Sequence, residues 1–297
     1  MGKLVFPIVI ALMLAAIGGG AYYVLQGPSG MFTSKPALPT VPVAPAPDDA
    51  PAAIAPPAEP AIKYPIDAAS TAGDGAPLPA LAQSDSFITS ALGEVIKRRD
   101  MQTFLQLDGL AKRVVATVDN LARPHAAPLL WPVNPTPGRF STLTEPSGEN
   151  RAKGAVIHPA NAKRYTPLVN FIDAIDSAKA AALYVRLYPL LQEAYVELGY
   201  PKGYFNDRLV TVIDHLLATP TPGGPLRVRL TEVKGPIIPA RPWLRYEFED
   251  PRLEALSSGQ KMLIRTGLEN QVRLQAKLRE LRQRVAASGP AMGAARP

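Results

Sequence analysis

The chain has 297 residues, 33 of them proline, with no cysteine and a net charge of +7. Lack of cysteine excludes disulfides, thiolate metal sites and a cysteine nucleophile. The proline load is heavy for one globular unit and points to non-globular length, and the positive charge suits a basic solvated surface or an acidic partner such as a phospholipid headgroup, acidic glycan or nucleic acid.

Leu4 to Leu25 carries no charge, and about 20 apolar residues are enough to cross a bilayer. Tyr22 and Tyr23 suit the far interface, where amphipathic rings collect. Pro7 falls in the first turn, where a missing N–H costs little. Lys3 and the terminal amine precede the run and the next basic residue is Lys35, so the N-terminus is expected inside and the bulk outside. The apolar run is long for a signal peptide and no good small-residue cleavage site follows it. Residues 1–26 are therefore expected to be an uncleaved signal-anchor, with 4–25 in the lipid bilayer.

Residues 27–79 alternate proline and alanine with few large apolar side chains. Such a stretch cannot build a core and reads as a disordered, partly extended linker. At about 3.1 Å per residue its full reach is on the order of 150 Å. Composition turns globular near Leu81, so 80–287 is expected to be one folded domain and 288–297 a frayed tail.

Within the domain, Ser84 reads as a helix N-cap before the apolar series Phe87, Leu92, Ile96. A second helix is expected to end before Pro124, and the next forty residues read as irregular. Thr166-Pro167 carries a cap-then-proline start signal. Ser177 is expected to cap the following helix, Pro189 to kink or split it, and Gly199 to close it. Tyr184, Tyr188 and Tyr195 share a face of that helix and read as core rather than as a ligand platform. After Pro220 two alternating runs, Val228-Leu230 and Leu244-Tyr246-Phe248, predict one small β-hairpin. Asp250-Pro251 opens a further helix. The basic C-terminal stretch shows a narrow apolar stripe through Leu274, Leu278, Leu281 and Val285, with its basic face solvated or turned to a groove or membrane surface. The fold class is mainly α with a small β-hairpin.

Two helical stretches echo each other. Arg113-Val-Val-Ala-Thr-Val-Asp119-Asn-Leu121 matches Arg208-Leu-Val-Thr-Val-Ile-Asp214-His-Leu216. On a helix, Arg and Asp six apart sit about 120° from each other, so they do not pair directly. Each aspartate is expected to meet an arginine of the other helix, making Arg113, Asp119, Arg208 and Asp214 a structural polar network. His215 could act as a general base, but adjacent Asp214 points about 100° away and is a poor orienter. His125 and His158 are isolated and show no metal-ligand spacing. No nucleotide-binding loop, nucleophile elbow or metalloprotease pair occurs. No catalytic residue, metal or cofactor is assigned. The loop Gly199–Asp207 combines Tyr200, Lys202, Tyr204 and Asn206; with His215 these form a candidate binding surface for a sugar or peptide, because flat rings stack on apolar faces while polar groups fix orientation. Asn206 also reads as the N-cap of the helix that follows.

The stretches RRDMQTFLQLDGLAKRVVATVDNLARP, ANAKRYTP, ELGYPKGYFNDRLVTVIDHLLATP and YEFEDPRLEALSSGQKMLIRTGLEN resemble an uncharacterised proteobacterial family, a domain of unknown function. Its members are single-pass membrane proteins with a proline-rich linker, and the resemblance covers roughly 81–284. It implies a Gram-negative inner-membrane setting with a periplasmic domain, and no catalytic residue. The expected function is a non-catalytic interaction protein of the cell envelope, with an envelope protein or peptidoglycan as partner and no nucleic acid. An envelope hydrolase acting on glycan or peptide through carboxylates is the alternative.

Overall fold

The computed structural model describes residues 61–67, 77–126, 128–144, 154–231 and 246–287. The expected anchor, most of the linker, Leu244 and the tail lie outside them. Among the described residues no helix is long and apolar enough to cross a membrane.

The helices are α1 Asp85–Gly93, α2 Arg98–Phe104, α3 Leu110–Leu121, α4 Ala160–Asp173, α5 Ser177–Glu197, α6 Phe205–Leu217, α7 Pro251–Glu254, α8 Ser258–Arg265 and α9 Leu268–Ala286. The strands are β1 Thr142–Thr144, β2 Ala155–Ile157, β3 Arg227–Leu230 and β4 Tyr246–Phe248. The fold is mainly helical with a small antiparallel sheet. The expected hairpin is present as β3 and β4, but it is the edge of a four-stranded sheet ordered β1-β2-β3-β4. The two extra strands come from the stretch that reads as irregular. Each is only three residues long, too short for alternation to register.

α9 runs against α6, α4 and α5, and α3 packs on α5, α6 and α8. Leu274, Leu278 and Leu281 are wholly buried and Val285 nearly so, each apolar side chain contributing about 2 kcal/mol through burial. The polar residues of α9 turn inward as well. Gln275 and Gln271 donate to carbonyls at and beyond the end of α6, and Lys277 Nζ donates to the Ile175 carbonyl at 2.8 Å. These bonds satisfy carbonyls that a helix terminus leaves without partners. Arg273 pairs with Asp173 and Arg282 with Asp214. Most of the basic face that looked solvated is thus spent within the fold. A second small core of Ile157, Val228, Phe248 and Ile264 seats the sheet on α8.

Several local expectations shift. Ser84 occupies the N-cap of α1, but its hydroxyl donates to the Leu81 carbonyl rather than capping the helix. α4 begins at Ala160 and carries Pro167 in its interior. Asp176 caps α5 by accepting from the Ala178 and Lys179 N–H groups, while Ser177 donates to Glu280. Pro189 does not split α5, because Leu187, Tyr188, Leu190 and Leu191 around it are all buried, and that burial outweighs a proline cost of about 3 kcal/mol. Gly199 closes α5 at φ +113°, where a side chain would be strained. Asp250 caps α7 with Pro251 following, as read. Gly267, at φ +88°, breaks the long C-terminal stretch into α8 and α9.

Candidate functional site

The loop before α6 holds a piece of the proline-rich segment. Lys63 and Tyr64 donate their N–H groups to the two carboxylate oxygens of Asp207, at 2.9 and 2.8 Å. The Ile66 N–H donates to the Tyr204 hydroxyl at 2.6 Å. Asn206 Nδ2 donates to the Tyr64 carbonyl at 2.8 Å. Pro65 lies between, at a position where no N–H is used. Ile66 is buried in the main core, and Tyr64 packs against that core. Residues 63–66, read from the sequence as part of the linker, are thus bonded to this loop. The chain bends at Lys63 and Tyr64, which turns both N–H groups toward the one carboxylate.

The groove is fixed from α5. Gln192 Oε1 accepts from the Phe205 N–H at 2.8 Å, and Gln192 Nε2 donates to the Gly203 carbonyl at 2.7 Å. The Tyr188 hydroxyl donates to the Gln192 side-chain oxygen. Thus α6 is capped from a neighbouring helix. Asn206, read as its cap, lies one residue inside and is wholly buried. Its Oδ1 accepts from the Tyr184 hydroxyl at 2.7 Å, and its Nδ2 also reaches the Val285 carbonyl at 3.1 Å. Burial pushes the Tyr184 and Tyr188 phenols up, so both remain protonated donors.

Of the other candidate binding residues, Lys202 stands exposed in the turn. Tyr200 stacks on Tyr195 with ring centroids 4.5 Å apart, and its hydroxyl donates to Asp119 at 3.1 Å. It belongs to an internal cluster rather than to an open platform. His215 lies apart, with Nε2 2.9 Å from the Ser257 hydroxyl. Burial, and then the Arg208 charge, lower its pKa. Ser257 is the capping-box residue of α8 and accepts from the Gln260 N–H. Asp214 meets Arg282, so it neither orients His215 nor pairs with an arginine of the echo.

One half of the expected cross-helix pairing forms. Arg208 Nε donates to Asp119 Oδ1 at 3.0 Å, and Arg123 and Tyr200 donate to Oδ2. The other half does not. Arg113 donates to the carbonyls of Asp108, Leu129 and Trp131, and Asp214 turns to α9. The four residues do not make one network, because α3 and α6 present different neighbours along their length. Asp207, Tyr64, Ile66, Gln192 and Arg282 escape a sequence reading. Only the pairing of an aromatic with an aliphatic two residues on, within an alanine-proline stretch, hints at the docked segment.

No curated protein and no solved structure matches the chain. One family profile, described as a protein of unknown function (DUF3014), matches residues 110–282, which takes in every helix from α3 to most of α9. The chain belongs to the DUF3014 family.

Proposed function

We propose that this chain is a membrane-anchored, non-catalytic binding protein of the Gram-negative envelope, whose periplasmic domain holds a short segment of a partner protein at the start of α6. The observation that carries this reading is the groove formed by Tyr204, Asn206 and Asp207, which engages three main-chain N–H groups and one carbonyl of residues 63–66. Main-chain bonds supply affinity for a peptide segment, and a pocket for one of its side chains, here that of Ile66, supplies selection. The charge-free run at 4–25 and the proline-rich stretch behind it support an anchored, outward-reaching domain.

The test uses the full chain with residues 61–67 replaced by a glycine-serine stretch of equal length. A synthetic peptide of Ala61 to Asp67 should bind it saturably, measured by fluorescence anisotropy. The same peptide carrying Tyr64→Pro lacks one of the N–H groups that Asp207 accepts and should bind far more weakly. Absence of peptide binding, or equal binding of both peptides, overturns the groove reading. Release of cleaved glycan or peptide from envelope material, lost on substitution of carboxylates, would put a hydrolase in its place. Affinity capture that brings down peptidoglycan and no protein would change the partner.

A further inference from the structure

Beside the small sheet lies a cavity of about 650 Å³, within the size range of small-molecule sites. Its walls include Val156 and Leu226 from the sheet side and Ile264 at the end of α8. Leu143 and Leu268, 45% and 59% exposed, stand on its lining as large apolar side chains open to solvent. One wall carries a cation, Arg265.

Arg265 is incompletely satisfied. Its Nη2 donates to the Tyr246 carbonyl at 2.7 Å, and its guanidinium sits 4.8 Å from the centre of the Phe248 ring. Its Nε is shielded from solvent and has no partner. Among the described residues no carboxylate pairs with it. Glu254, whose field reaches it, spends one oxygen on Lys261 and the other on the Phe248 N–H. A shielded cation without an anion is costly, and it is normally compensated by one. Arg265 thus pairs with no carboxylate among the described residues and stands on the wall of an apolar cavity.

We propose that this cavity binds a free single-chain carboxylate, its hydrocarbon chain along Val156, Leu226 and Ile264 and its carboxylate on Arg265. Apolar walls with one placed charge are the usual composition of such a site, and the planar fork of a guanidinium matches the geometry of a carboxylate. The site is separate from the groove at α6 and does not depend on it.

The experiment titrates octanoate and octanol into the full chain held in phosphatidylcholine nanodiscs, with protein-free nanodiscs as the reference. Octanoate should bind saturably, one per chain, about tenfold more tightly than octanol, the ratio expected of one charge-assisted contact. Leu143→Trp should crowd the cavity and weaken both ligands. Arg265→Gln should abolish the preference for octanoate while leaving octanol in place. The comparison of the two ligands on the unmodified chain stands even if Arg265→Gln fails to fold. Equal binding of octanoate and octanol, a signal no greater than that of protein-free nanodiscs, or octanoate binding untouched by Leu143→Trp overturns the proposal. So does loss of octanoate binding when phosphatidylglycerol is added to the nanodisc, which would assign the site to a phospholipid.

Discussion

Arg208 on α6 holds Asp119 on α3 at two points. Its Nε donates to the carboxylate at 3.0 Å, and its Nη2 donates to the Asp119 main-chain carbonyl at 2.8 Å. The Asp119 side chain is 6% exposed, while its partners Arg208 and Arg123 are 27% and 51% exposed, so its loss leaves Arg208 partly shielded without its carboxylate. Asp119→Ala should cost about 1.5–3 kcal/mol, the range for a lost hydrogen bond to a charged group. Asp214 and Arg282 are 45% and 35% exposed, and screening reduces Asp214→Ala to about 1 kcal/mol or less. Denaturant unfolding of the two variants checks the order. It reverses the simplest expectation from the echo, that both aspartates matter alike.

Ile66 ties the proline-rich segment to the main core. Ile66→Ala should destabilise the domain by about 2 kcal/mol, the low end for such truncations, because the residue sits at the edge. Limited proteolysis should yield a stable fragment that begins before residue 61. The amides of Lys63, Tyr64 and Ile66 should exchange slowly with solvent deuterium, since each is bonded to a side chain of the groove. A stable fragment that begins at Ala80 and melts like the longer one would show that this docking contributes nothing.

Gly259 in α8 sits where α3 and α6 converge. A Cβ there would lie 2.7 Å from Leu216 Cδ2 and 2.9 Å from the Leu121 carbonyl oxygen. The carbonyl belongs to a helix end that Ser258 already holds, so it has little freedom to retreat. Gly259→Ala should cost about 1–3 kcal/mol through overpacking, despite the better helix propensity of alanine. A rise in melting temperature would disprove the close contact.

Burial and the Arg208 charge lower the pKa of His215 in the folded chain. The unfolded chain therefore takes up its proton first as pH falls. Stability linked to His215 is full above the unfolded value, near pH 6.5 on an ordinary scale, and is lost progressively as pH drops from there toward the folded value. Stability measured from pH 8 down to 5 should fall more steeply for the unmodified chain than for His215→Gln. Parallel curves would mean that the imidazole is not shielded in solution.

An alkaline phosphatase fusion after Pro79 should be active in a Gram-negative host, and the mature protein should retain its N-terminus. Both outcomes follow from the uncharged run at 4–25 preceded by Lys3. An inactive fusion, or a mature chain starting near Gly27, would remove the anchor from the proposal.

The sequence by itself determined what depends on local chemistry: most helices of the domain though not all of their ends, the pairing of β3 with β4, the cap-then-proline start at Asp250-Pro251 and the stop at Gly199. Each rests on the conformational limits of one or two residues, or on an apolar period long enough to read. It also placed Arg208 opposite Asp119, because a charge set among aliphatic residues needs a partner, although Arg113 and Asp214 on the same helices found theirs elsewhere. Tertiary structure decided the rest. The strands β1 and β2 exist because neighbouring strands complete their hydrogen bonds, not because three residues prefer to be extended. Asn206 was legible as a cap, yet it became a buried clasp once Gln192 supplied the cap from α5. Ile66 lies in a stretch too poor in apolar residues to fold alone, and it is ordered by a groove whose walls lie more than a hundred residues away along the chain. Arg265 reads as one more charge in a basic helix; only the packing of the sheet on α8 leaves its Nε shielded from water beside an apolar cavity.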